Sequence, residues 1–123
     1  MTRSALTKTT PTAWASNGTN ITDATYVTMS TGATNGVTFS HDNTDLIILR
    51  NDTGGNAVYS IIVEPVASVT AVGGSLTDAS LTVATGKIHV LKPIAGMRQT
   101  DGDIYIDCDV AAKILVLDLS ATT

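Results

Sequence analysis

The stretch DGDIYIDCDV, residues 101–110, places four aspartates in ten positions, a density at which carboxylates can bind a cation or act as a catalytic pair. In an extended chain Asp103 and Asp107 lie about 13 Å apart at roughly 3.3 Å per residue, too far to share one ion. Asp107 and Asp109, about 7 Å apart, need a third ligand from elsewhere. The glycine and glutamate positions of an EF-hand loop are also absent. We therefore expect these aspartates to form a solvated strand face. The sequence leaves open whether a cation binds at Asp107 and Asp109.

The residues between these aspartates support a strand. Ile104, Ile106, Cys108 and Val110 occupy every second position, which is typical of a β-strand with one buried face. Cys108 is the only cysteine, so the chain forms no internal disulfide. We expect its side chain to be a small buried hydrophobic group.

A second candidate is the triplet Asp52-Thr53-Gly54, which follows an apolar run and resembles the catalytic triplet of retropepsin-type aspartic proteases. That family has an apolar residue before the aspartate and a small Ala or Ser after the glycine. Asn51 and Gly55 stand there instead. NDTGGN between two strands is also ordinary hairpin-turn chemistry. We regard a protease as a remote alternative.

Other catalytic or cofactor sites have little support in the sequence. Ser40, His41 and Asp42 are adjacent, which does not suit a serine triad. Two histidines and one cysteine are too few for a zinc site, and we expect His89 to lie on the surface. Neither glycine pair, 54–55 or 73–74, leads into a helix that would bind phosphate. We predict no catalytic residue, no metal and no cofactor.

The composition limits the class of partner. The chain has 123 residues, 43% of them hydrophobic, which is typical of one globular domain. A net charge of -4 argues against binding to nucleic acid or to an anionic membrane surface. No apolar run approaches the roughly 20 residues of a membrane span, and the first residues lack the apolar core of a signal peptide. We expect a protein made in the cytoplasm.

The residue types predict an all-β protein. Ten of the eleven acidic residues are aspartate, which favours turns, and Thr and Val are frequent. About eight strands follow one another at the spacing of a β-sandwich. Thr85-Gly86 predicts a hairpin between SLTVA and KIHVL. The runs LIIL and ILVLDL are apolar on both faces, so we expect central strands or strands covered by another subunit.

Residues 1–35 differ from the β-sandwich domain predicted for residues 36–123. They are rich in Thr, Ser, Asn and Gly and predict an extended N-terminal arm, with one strand around TYVTM. Such an arm buries little surface of its own, so it is either mobile or ordered against a neighbour. Trp14 either anchors the arm to its own domain or contacts a partner. We name Arg3, Trp14 and Tyr26 as candidate partner contacts and expect arm removal to leave the sandwich folded.

The order of features over residues 36–119 resembles that of small head decoration proteins of tailed bacteriophages. In that family a Phe precedes a polar turn and a strand that ends in Asn. A D-x-x-x-x-V-x-x-G element and a strand led by Asp-Gly come later. The matching residues here are Phe39, Asn51, Asp78, Val83, Gly86, Asp101 and Gly102, and Pro93 fits a proline frequent in the family.

This resemblance implies a jelly-roll-like β-sandwich that forms a homotrimer and binds the major capsid protein on the outside of the virion. It implies a non-enzymatic cement protein, which needs many modest contacts rather than a pocket. The low charge and the doubly apolar strands are compatible with such a protein. The alternative is a carbohydrate-binding or adhesin module of a phage tail or surface protein.

Overall fold

The computed structural model describes residues 3–11, 20–32, 34–40, 44–62, 79–92 and 102–119. Trp14, Asp78, Pro93 and Asp101, which are named above, lie outside these ranges.

Within the described ranges the chain forms nine strands and one short 3-10 turn at Asp23–Thr25. The strands are β1 (Ser4–Ala5), β2 (Val27–Thr28), β3 (Val37–Ser40), β4 (Asp45–Arg50), β5 (Ala57–Ile62), β6 (Ala79–Val83), β7 (Ile88–Leu91), β8 (Asp103–Cys108) and β9 (Lys113–Asp118). The all-β prediction is confirmed, and the strand expected around TYVTM is present as β2.

The strands form two sheets. The five-stranded sheet has the order β1-β3-β8-β5-β6, and the four-stranded sheet has the order β2-β9-β4-β7. All pairings are antiparallel except that of β1 with β3. LIIL and ILVLDL lie in β4 and β9, which are both interior strands as predicted.

One apolar core lies between the sheets, which gives the two-layer arrangement of a β-sandwich. Its largest buried side chains are at most 2% exposed and come from both sheets: Tyr59, Ile61, Ile104 and Ile106 from one, and Ile47, Leu49, Ile114 and Val116 from the other. The predicted burial of Cys108 is confirmed, and Phe39 and Tyr59 are also buried. The Tyr59 hydroxyl donates to the Lys113 carbonyl at 2.6 Å and thereby links the two sheets.

Two predicted hairpins are wrong. β6 pairs with β5, whereas β7 pairs with β4 in the other sheet, so Thr85-Gly86 carries the chain across the sandwich. Residues 51–56 do the same between β4 and β5. Asn51 holds the two crossings together. Its amide nitrogen donates to the carbonyls of Gly55 and Val83, both at 2.7 Å. Asn51 is 0% exposed, so these bonds satisfy a polar group that little water reaches.

The expectation that the arm is mobile or ordered against a neighbour is wrong for residues 3–11. These residues lie on their own sandwich. β1 pairs with β3 in the five-stranded sheet, and Thr9 forms a bridge with Leu117 of β9 in the other. Leu6, between them, is 9% exposed and belongs to the core. The reason is that one apolar side chain and a few backbone hydrogen bonds suffice to dock a short segment that bridges two sheet edges. The boundary at residue 36 stays a prediction.

Candidate functional site

Asp107 contradicts the expectation of a solvated aspartate face. It lies on the outer face of β8 but is only 5% exposed. The Arg3 guanidinium donates to its two carboxylate oxygens from Nε at 2.7 Å and from Nη2 at 2.6 Å. The backbone N–H groups of Thr34 and Gly36 donate to the same oxygens at 3.0 and 3.1 Å. Asp107 is therefore a fully engaged structural carboxylate.

Burial acts to raise the pKa of Asp107, but its neighbours outweigh that effect. The Arg3 guanidinium and the two backbone N–H donors stabilise the charged form and hold the pKa below its usual value. Gly36 makes this arrangement possible. A Cβ at this position would lie 1.9 Å from the Ile106 carbonyl oxygen and 2.7 Å from Oδ1 of Asp107.

Asp109, the second candidate cation ligand, is engaged within the chain. Its Oδ1 accepts from the Val58 N–H at 2.8 Å and ties the end of β8 to β5. Both aspartates line an open depression of about 280 Å³. In the described part of the chain, no group of three or more His, Cys, Asp or Glu side chains is placed to bind a metal. Burial raises the pKa of the adjacent Cys108 thiol, which disfavours the reactive thiolate.

The residues of the Asp52-Thr53-Gly54 triplet form part of the turn after β4. Asp52 is exposed and forms an ion pair with Lys113 at 3.5 Å. Thr53 donates from its backbone N–H and its hydroxyl to Oδ1 of Asn51 at 2.9 and 2.6 Å. These contacts close the turn after β4. Of the Ser40-His41-Asp42 run, the structure describes only Ser40, and His89 is exposed as predicted.

Arg3 and Lys8 fasten the arm to the two sheets. We call residues 3–10 the strap. Arg3 binds Asp107 of the five-stranded sheet, and its guanidinium lies 4.8 Å from the centre of the Tyr105 ring. Lys8 binds Asp45 of β4 at 3.0 Å, and the Asp45 side chain is 0% exposed. Two basic residues thus compensate two buried carboxylates, one in each sheet.

Tyr26 lies next to the outer face of the four-stranded sheet. The Arg50 guanidinium is 5.3 Å from the centre of its ring and pairs with Asp23. Arg3 and Tyr26 therefore both make contacts within the chain. Their roles as partner contacts, and that of Trp14, stay predictions.

Among the described residues, the two most exposed large apolar side chains lie on β7. Ile88 and Val90 are 55% and 56% exposed. On the same outer face Val90 lies beside Ile48 of β4, which is half-buried. The row ends there, because Leu115 of β9, beside Ile48, is only 2% exposed. We call Ile88, Val90 and Ile48 the β7 surface. The expectations drawn from the sequence do not include this surface, although an apolar alternation bracketed by Lys87 and Lys92 is typical of an edge strand and is a usable signal.

Among the described residues, no helix has the length and apolar character that crossing a membrane requires. Comparison of the chain with protein-family models, with curated proteins and with solved structures found no match.

Proposed function

We propose that this protein is a non-enzymatic structural protein that decorates the outside of a tailed-bacteriophage capsid. In this proposal the sandwich is jelly-roll-like, forms a homotrimer and binds the major capsid protein, which stabilises the shell. The proposal derives from the resemblance over residues 36–119. The observation that carries it is the β7 surface, because exposed apolar side chains grouped on one sheet face are typical of protein–protein contacts.

The strap adds a second argument. It closes the sandwich with residues of the same chain, so Arg3 and Lys8 are occupied internally. The partner surface then has to be sought on β7 and the outer sheet face rather than at the start of the arm. A decoration protein works through such a face and needs no reactive group.

The aromatic residues disfavour a sugar-binding module. Glycan platforms use exposed rings, but Phe39 and Tyr59 are at most 3% exposed. Tyr26 and Tyr105 each lie against an arginine side chain. Within the described ranges this leaves no open aromatic surface. A glycan array with reproducible hits would nevertheless favour that alternative, and proteolysis that is lost in Asp52→Asn would favour a protease.

Electron microscopy of phage particles with and without the protein is the direct test. We expect added density on the capsid exterior, a trimeric mass in solution by light scattering, and a higher capsid melting temperature. A double variant, Ile88→Ser with Val90→Ser, should reduce capsid occupancy. Leu119→Ser is the matched control, because Leu119 is 50% exposed and lies outside β7. A monomer that leaves capsids bare contradicts the proposal.

A further inference from the structure

β7 is an open edge of the four-stranded sheet. It pairs with β4 on one side, and within the described ranges no strand pairs with its other side. Its two most exposed side chains, Ile88 and Val90, are apolar. An exposed apolar edge is a template for another strand.

The register shows which backbone groups face this edge. The Asn51 N–H donates to the Lys87 carbonyl at 3.1 Å, so these opposed residues form a hydrogen-bonded pair. Hydrogen-bonded and non-hydrogen-bonded pairs alternate in an antiparallel ladder. The next pair, Arg50 with Ile88, is therefore not hydrogen-bonded. Leu49 with His89 is hydrogen-bonded, and Ile48 with Val90 again is not. The N–H and C=O groups of Ile88 and Val90 therefore point away from β4, towards the open edge.

The charges around β7 are unusual for this chain. Four basic residues form ion pairs: Arg3, Lys8, Arg50 and Lys113. The two other basic residues in the described ranges, Lys87 and Lys92, show no acidic partner there, and they bracket β7. In a chain of net charge -4, this edge is a local basic site.

We propose that β7 binds an extended segment of a partner protein as an added strand, with apolar side chains beside Ile88 and Val90 and acidic side chains near Lys87 and Lys92. The two lysines are five residues apart in the sequence, so the acidic residues of the segment are expected about 17 Å apart. Backbone hydrogen bonds supply affinity and the two charges supply selectivity. The inference does not rest on the proposed function, since it specifies how a partner is held rather than which partner it is.

A second copy of this chain is a poorer occupant of the same edge. Antiparallel pairing of two copies through the open edge opposes Ile88 to Val90, which places Lys87 opposite Leu91 and next to Lys92 of the second copy at both ends. Like charges in these positions repel, which is how edge lysines commonly prevent self-association. The same charges favour an acidic segment.

Two capped synthetic peptides test the inference against the full chain, Glu-Thr-Val-Thr-Val-Glu and its counterpart with Lys at both ends. In an NMR titration the Glu-ended peptide should shift the amide signals of Ile88 and Val90 most. It should bind roughly tenfold more tightly than the Lys-ended peptide, since each exposed ion pair contributes modestly. High salt should narrow that difference.

Val90→Pro removes one edge N–H group without removing a bond to β4, so it should abolish peptide binding while the fold is kept. Val90→Thr is its matched control, because it keeps the N–H group and should retain binding. The double variant Lys87→Glu with Lys92→Glu is an independent test of the charge preference that introduces no proline into β7. It should bind the Lys-ended peptide more tightly than the Glu-ended peptide.

Several results overturn the inference: no shift at β7, equal affinity for both peptides, or an unchanged preference after charge reversal. Concentration-dependent self-association that disappears in Val90→Pro identifies a second copy as the occupant and also overturns it. Capsid binding without peptide binding leaves the proposed function standing and rejects this inference alone.

Discussion

The carboxylate of Asp107 accepts hydrogen bonds from Arg3, Thr34 and Gly36 in a place that is 5% exposed. Breaking one partner of such a pair leaves the other charge poorly solvated, which is more costly than losing an exposed ion pair. The stability of this site therefore depends on the few hydrogen bonds that the Asp107 carboxylate accepts.

We expect Asp107→Asn to lower the free energy of unfolding by about 2–3 kcal/mol at pH 7, because Arg3 loses its charged partner. The pKa of Asp107 is lowered in the folded state, so its contribution is present above the unfolded pKa of about 3.9 and is lost as the pH falls below it. The gap in unfolding free energy between wild type and variant should therefore shrink as the pH falls below about 4. Urea unfolding at several pH values measures this, and a gap independent of pH contradicts it.

Gly36 offers a steric test. Gly36→Ala places a Cβ 1.9 Å from a backbone oxygen of β8, which the strand avoids only by moving. We expect a loss of about 2 kcal/mol or more, within the range for overpacked sites. Gly55→Ala is the control, because no atom lies within 4 Å of its Cβ position. Equal melting temperatures for the two variants contradict this prediction.

Asn51 links two chain crossings through its side chain. Asn51→Ala leaves the carbonyls of Gly55 and Val83 without these donors, and we expect a loss of about 2–4 kcal/mol. Asn56→Ala, at an exposed position in the same connection, should change stability by less than about 0.5 kcal/mol. Thermal unfolding followed by circular dichroism compares the two variants.

At the scale of the element, the strap affects stability through the groups that it contacts rather than through its own size. It contributes little area, but it brings one basic side chain to each of two buried carboxylates. It also places Leu6 in the core. The strap therefore stabilises both sheets at once.

Deletion of residues 1–8 should lower the melting temperature markedly, because Asp107 and Asp45 lose their basic partners and Leu6 leaves the core. The sequence alone predicts only that the sandwich stays folded after arm removal, so this loss of stability is a consequence of the contacts seen in the structure. The control lacks only residues 1 and 2 and keeps Arg3. If the truncated chain unfolds at the wild-type temperature, the strap has no role in stability.

At the scale of the whole molecule, we expect association to depend on the apolar side chains of the β7 surface and on the two lysines that flank β7. Lys87 and Lys92 bracket the open edge of a chain that is otherwise acidic. Removing their repulsion makes self-pairing of the edge easier.

Lys87→Ala with Lys92→Ala should form assemblies larger than the wild type at the same concentration, as measured by light scattering. Adding Val90→Pro to this variant should restore wild-type behaviour, because it removes an edge donor. If the double variant associates no more than the wild type, the lysines do not guard the edge.

Part of this architecture follows from the sequence alone. The residue types determined that the chain is all-β, and alternation with a period of two determined that Cys108 faces the core. Runs that are apolar on both faces determined that LIIL and ILVLDL are interior strands. Side-chain alternation is a local property of an extended backbone, so neighbouring residues suffice to reveal it.

The tertiary structure alone decided where the turns lead and which polar groups are buried. The turn at NDTGGN has hairpin chemistry, yet its two strands enter different sheets because their partners lie far away in the sequence. Asp107 alternates like a solvated residue and is buried because Arg3 and the segment around Gly36 cover it. Burial depends on what packs over a face, and residues 71 or more positions away supply that cover.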